Sequence, residues 1–140
     1  MFAEILARLR ALHLYYQTAH WQCKSPLFYA DHLLFDRLYN AVVLEVDAVA
    51  ENAIAATQDV SVVNLNESLK LIAATVIKLP TENKENATYF NAALMLELDL
   101  LRFLEESEKQ DFSLGTRNML AGLAQAHQGY VYLLRQRLSK

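Results

Sequence analysis

Helix breakers are so scarce in this chain that long helices are nearly the only regular structure open to it. Glycine brings backbone freedom and proline lacks an N–H, and they occur only three times and twice in 140 residues. Ala, Leu, Glu and Gln, all good helix formers, are abundant. Apolar residues at Ile5, Leu9, Leu12 and Tyr16 recur every three or four positions, which predicts a first helix over about Phe2 to Cys23. Ser25-Pro26 interrupts the pattern. With serine as cap and proline in the first turn, a second and unusually long helix is expected from about Leu27 to Ala56. Residues Thr57 to Thr81 read as a connection with a short crossover helix over Glu67 to Lys78, ended by Pro80. Thr81 is expected to cap a third helix over about Glu82 to Lys109. After a turn over Asp111 to Gly115, a fourth helix is expected from about Thr116 to Leu138. Two long helices, a long crossover and two more long helices predict an all-α four-helix bundle.

The chain is long enough for one domain with a single core, so residues 1–140 are read as one domain. A formal net charge of −3 gives no general attraction to nucleic acid. The single cysteine, Cys23, excludes an internal disulfide framework and any Cys-rich zinc module. Apolar runs such as Ala41 to Leu44 are too short to span a membrane. The first ten residues, with Glu4, Arg8 and Arg10, lack the pattern of a secretory signal. A cytoplasmic setting is the resulting expectation.

Five residues carry candidate chemistry: His20, His32, Asp36, Asp47 and Glu51. The last four lie on the second helix, within roughly 100° of one another around its axis. Asp36 and Asp47 are nevertheless roughly 16 Å apart along it, too far to share one ion within a chain. Their positions are symmetric: 32 and 51 share a midpoint with 36 and 47, between Ala41 and Val42. If this helix packs antiparallel on its copy across a two-fold axis there, His32 meets Glu51 of the partner subunit and Asp36 meets Asp47 of the partner subunit. His20 adds a second imidazole from the end of the first helix. Two imidazoles and three carboxylates suit iron, and also zinc, manganese or cobalt. Taken singly, each of these residues reads as a solvated acid or a packing histidine. Acids at i, i+4 spacing on a partly apolar face repel one another unless a cation lies between them, and that favours the metal reading of the set.

The stretches His20-Trp21-Gln-Cys-Lys-Ser-Pro-Leu-Phe28, His32-Leu-Leu-Phe-Asp36 and Val46-Asp47-Ala-Val-Ala-Glu51 resemble the signature of the Dps proteins, the ferritin-like miniferritins of starved cells. The match is specific over His13 to Asn52, about a quarter of the chain, and elsewhere is general helix pattern. The resemblance implies a ferritin-like bundle and a dodecameric shell built from two-fold dimers. It also implies ferroxidase centres shared by two subunits, with His20, His32 and Asp36 from one chain and Asp47 and Glu51 from its mate. Ferrous iron would be oxidised there by hydrogen peroxide or oxygen and stored as ferric mineral, protecting the cell from oxidative damage. Zinc is expected to fit the same site. Trp21 occupies the family's tryptophan position, where it reads as an electron donor or an interface anchor. His13, seven residues before His20, reads as a packing residue or a partner to the ligands; Tyr15 and Tyr16 read as core.

Some features depart from the family. The C-terminus, Arg135-Gln-Arg137-Leu-Ser-Lys140, is short for a DNA-binding tail. Twelve chains would together carry about −36 formal charges, so DNA binding is expected to be weak or absent. Ser25 stands where the family often has glycine, and Asn52 where it often has arginine. Glu45 is the sole acid between Asp36 and Asp47. Asp111, with Glu105, Glu106 and Glu108 just before it, lies near the family's iron-entry pore, but the glutamate cluster reads more readily as a solvated charge run. No Glu is followed three residues later by His, so a diiron site of the Glu-x-x-His form inside one bundle is not expected. Two other functions stand beside the ferroxidase: a DNA-compacting structural protein, and a metal-binding shell without redox turnover.

Overall fold

The computed structural model describes all 140 residues. Five α-helices appear: α1 (Phe2–Gln22), α2 (Phe28–Thr57), α3 (Leu65–Val76), α4 (Asn86–Ser107) and α5 (Leu114–Leu138). A short 3-10 turn, Val60–Val63, precedes α3. α1 packs against α2, α3 and α4, while α5 packs against α4 and α2, closing four long helices around one core. The centre is filled by Leu9, Leu12, Tyr16, Phe35, Leu38, Phe90, Leu100 and Leu134, all essentially inaccessible. α3 crosses outside α1, where Ala7 and Ala11, one turn apart, let Ile72 approach closely.

α2 is 30 residues long, about 45 Å at the usual rise. Phe35, Leu38, Val42, Val49 and Ala53 make its inward stripe. Leu33, Val43 and Leu44 face outward instead, with Leu44 73% exposed. A helix of this length that buries one stripe leaves a second apolar surface uncovered within the single chain.

Two helices start later than the sequence expectation, for one physical reason. α2 begins at Phe28, past Pro26, with Leu27 as its uncapped N-cap residue, so Ser25 does not cap it. The corner is held from α4: the Asn86 side chain accepts from the Lys24 N–H (2.9 Å) and donates to the Lys24 carbonyl (2.8 Å). α4 begins at Asn86 rather than near Glu82, and Thr81 does not cap it. Tyr15 donates to the Pro80 carbonyl at 2.7 Å, Gln22 donates to the Thr81 carbonyl, and Asn83 is left-handed at φ 55°. Those bonds fasten residues 80–83 to α1, and a left-handed residue cannot continue a right-handed helix. α3 starts at Leu65, two residues early, because the Asn64 side chain accepts from the Glu67 N–H at 2.9 Å. α5 is likewise capped early, by Ser113.

Candidate metal centre

His20 sits in the last turn of α1 and His32 in the second turn of α2, so the short α1–α2 corner brings them together. Their rings stack at 3.7 Å between centroids with 17° between planes. His20 Nδ1 bonds the His32 carbonyl at 2.8 Å, and His32 Nδ1 bonds the His20 carbonyl at 2.8 Å. A carbonyl only accepts, so each Nδ1 carries the hydrogen and donates. The Nε2 edge of each ring is left to accept a metal. Ligating histidines commonly have this arrangement, with the second nitrogen anchored to backbone or carboxylate. Phe28 stacks on His32 at 4.8 Å, and Tyr39 meets His20 edge-on at 5.2 Å.

Asp36 lies one turn beyond His32 on the same face of α2 and is half-buried. Asp47 and Glu51 are three and four turns further along and exposed. Asp47 borders an apolar groove with Leu6, Val43, Val46, Ala50 and Leu65. Within one chain, no three His, Cys, Asp or Glu side chains are arranged to hold an ion. The chain therefore brings His20 and His32 together, with Asp36 one turn away along α2, and keeps Asp47 and Glu51 apart from them.

A second polar cluster, which sequence reasoning missed, lies in the bundle centre. His127 on α5 and Glu97 on α4 are fully buried, and Glu45 on α2 is partly buried. His127 Nδ1 is 2.5 Å from Glu97 Oε2, and its Nε2 is 2.6 Å from Glu45 Oε2. Tyr16 donates to Glu97 Oε1 at 2.5 Å, and Tyr130 donates to Glu45 Oε1 at 2.8 Å. Burial alone would lower the His127 pKa; hydrogen bonds to Glu45 and Glu97, and their charges, override it and raise it to about 9. The ring is thus an imidazolium that donates from both edges. Its carboxylates sit on opposite edges and its nitrogens are both committed, so the trio is a brace between helices with no open ligand position. The available signal was that Glu97 and His127 fall on the core-facing stripes of their helices.

At the α1–α2 corner a buried ion pair completes the frame. Arg137 near the end of α5 donates to Asp31 through Nε (2.7 Å) and Nη2 (2.9 Å). Asp31 also accepts from Asn86 at 2.9 Å. Cys23 is buried beside it, and burial first, then the Asp31 charge, raises its thiol pKa to about 11. The thiol stays protonated at neutral pH and is a packing group. His13 rests against Tyr39 at 6.0 Å. Tyr15 and Tyr16 are in the core.

No family model matches the chain, and no curated protein sequence matches it. Solved structures do. Dps from Thermosynechococcus elongatus superposes with a TM-score of 0.73 at 20% identity, over 99% of this chain and 88% of that one. The DPS protein from Vibrio cholerae O1, described as a member of a broad superfamily of ferritin-like diiron-carboxylate proteins, superposes with a TM-score of 0.65 at 20% identity, over 99% and 86%. The chain has the ferritin-like four-helix fold of the Dps proteins.

Proposed function

We propose that this protein is a ferroxidase and iron-storage miniferritin whose metal centres are completed by a second copy of the chain. The reciprocal latch between His20 and His32 carries this reading. Two imidazoles each spend Nδ1 on the other's backbone carbonyl and keep Nε2 available, with Asp36 one turn further along α2. Ligating histidines commonly anchor the nitrogen that does not face the metal in this way. Asp47 and Glu51, placed symmetrically to His32 and Asp36 about the middle of α2, are the complement a two-fold partner would bring. The outward apolar residues Leu33, Val43 and Leu44 supply the contact surface. In the assembly, a dodecamer in the family's pattern, each α2 gives half of two centres.

Ferrous iron is the substrate. Imidazole nitrogens bind it firmly, and the carboxylates neutralise the added charge as it becomes ferric. Two ferrous ions reduce one hydrogen peroxide to two hydroxides, so no hydroxyl radical is released when both ions are present. The surrounding rings of Phe28 and Tyr39 fix the imidazoles so that little reorganisation accompanies the change in charge. A net charge of −3 per chain leaves DNA unbound at physiological salt, and the cytoplasm is the compartment proposed.

The test is ferrous oxidation followed by ultraviolet absorbance on protein whose mass has been established by size exclusion, with peroxide or oxygen as oxidant. Turnover by a particle of many subunits is the expected result. An assembled particle that binds zinc but turns over no iron would replace this function with metal buffering.

A further inference from the structure

The latch between His20 and His32 joins the last turn of one helix to the opening turns of another, so it holds only while those turns keep their register. The α1 side is anchored through α4. Asn86 bonds both the N–H and the carbonyl of Lys24, and Tyr89 donates to Gln22 Oε1 at 2.7 Å. The α2 side has no helix cap, because Leu27 brings no side-chain acceptor. It is tied instead through Asp31, the residue before His32, which is only 1% exposed. Neighbouring residues on a helix point about 100° apart, so Asp31 reaches into the bundle while His32 meets α1. Asp31 accepts from Arg137 Nε at 2.7 Å and Nη2 at 2.9 Å, and from Asn86 at 2.9 Å. The guanidinium is itself held, 4.9 Å over the Phe90 ring, and Phe90 stacks at 4.2 Å on Phe35, three residues past His32. A two-pronged guanidinium–carboxylate pair fixes angle as well as distance, which a single bond does not.

We propose that Arg137 is a positioning residue for the candidate metal centre: by clamping Asp31 it sets the start of α2 where His32 and His20 can exchange their bonds. The proposal rests on the reading of that corner as a metal centre. Without the clamp, a buried carboxylate keeps one amide donor only, and the turn that carries it shifts toward water or another partner. A shift of about 1 Å takes a 2.8 Å bond out of hydrogen-bond range. Each imidazole is then free to rotate or change tautomer, and the two Nε2 atoms are no longer presented together. α5 thus governs the centre from its far end while giving it no ligand.

The test titrates cobalt(II), which suits the same imidazole and carboxylate donors, into the assembled metal-free protein and follows its visible spectrum. Arg137→Gln and Asp31→Asn should each weaken cobalt binding roughly tenfold and alter its spectrum. The double variant should be no weaker than the weaker single, because both changes remove one interaction. Arg137→Lys keeps the charge but loses the fork, so it should fall between wild type and Arg137→Gln, and it carries the test alone if Arg137→Gln does not assemble. Glu97→Gln, which loosens the bundle centre instead, should keep wild-type cobalt affinity, and this separates positioning from loss of stability. Wild-type affinity and spectrum in the Arg137 variants, losses that add in the double variant, or equal weakening by Glu97→Gln would each overturn the positioning role and leave the centre standing. A wild type that binds no cobalt overturns the centre as well.

Discussion

The bundle centre and the α1–α2 corner each hold histidines among carboxylates, yet they are built to opposite ends. In the centre, both nitrogens of His127 are engaged by Glu45 and Glu97, and the outer carboxylate oxygens are engaged by Tyr16 and Tyr130. Every donor has its acceptor and nothing is left over. At the corner, His20 and His32 engage only Nδ1, and the acids that would complete them lie further along α2. Counting ligand-type residues would rank the central trio first. Counting uncommitted lone pairs ranks the corner first. Buried polar groups that satisfy one another brace a fold, and groups fixed on one side only are prepared for something outside the chain.

The sharpest break in this contrast comes from Glu97→Ala. Removing one member of a buried, hydrogen-bonded ion cluster leaves His127 Nδ1 and the Tyr16 hydroxyl without partners, at an expected cost of about 3–5 kcal/mol in urea unfolding at fixed subunit concentration. A loss under about 1 kcal/mol would mean that the centre is not a brace.

The pH dependence of stability sharpens the same point. His127 has a folded pKa of about 9, above its unfolded value of 6.5. Its contribution is therefore fully present below pH 6.5 and is lost as pH rises through about 9. The shift corresponds to about 3 kcal/mol as an order of magnitude. Unfolding midpoints should fall across that window in the wild type, and the fall should flatten in His127→Gln.

At the corner the expected pattern reverses. Asp47→Asn and Glu51→Gln remove exposed acids, so chain stability should move by no more than about 0.5 kcal/mol. Iron oxidation should fall at least about tenfold, read by ultraviolet absorbance on particles of unchanged size. Unchanged rates would take these two residues out of the centre. The smallest expected effect is on DNA: a gel shift at physiological salt should show no retardation, and tight binding without added divalent cation would contradict the charge argument.

The long helices were legible because they follow from local rules, the 3.6-residue recurrence and the few breakers. Their starts were less so. Ser25 and Thr81 have cap chemistry, but the chain at those points is held by Asn86, Tyr15 and Gln22, which are distant in sequence. The spacing of His20, His32 and Asp36 was readable because it lies along one helix and its neighbour. The latch between the histidines and the contact of Tyr39 with His20 depend on how α1 and α2 pack, which periodicity does not specify. The central trio was hidden for the same reason. Its members come from three helices, with separations of 82 and 30 residues, and each alone reads as a core position filled by an unexpected polar residue.

The most direct test of a centre shared between subunits is complementation. One variant carries His32→Ala and Asp36→Asn; the other carries Asp47→Asn and Glu51→Gln. Each alone should oxidise iron slowly. When the two are unfolded together and reassembled in equal amounts, half of the two-fold pairs are mixed, and each mixed pair regains one intact centre of its two. The account predicts recovery of roughly a quarter of wild-type activity in the mixture. A mixture that assembles to the same size but stays as slow as its parents would contradict it.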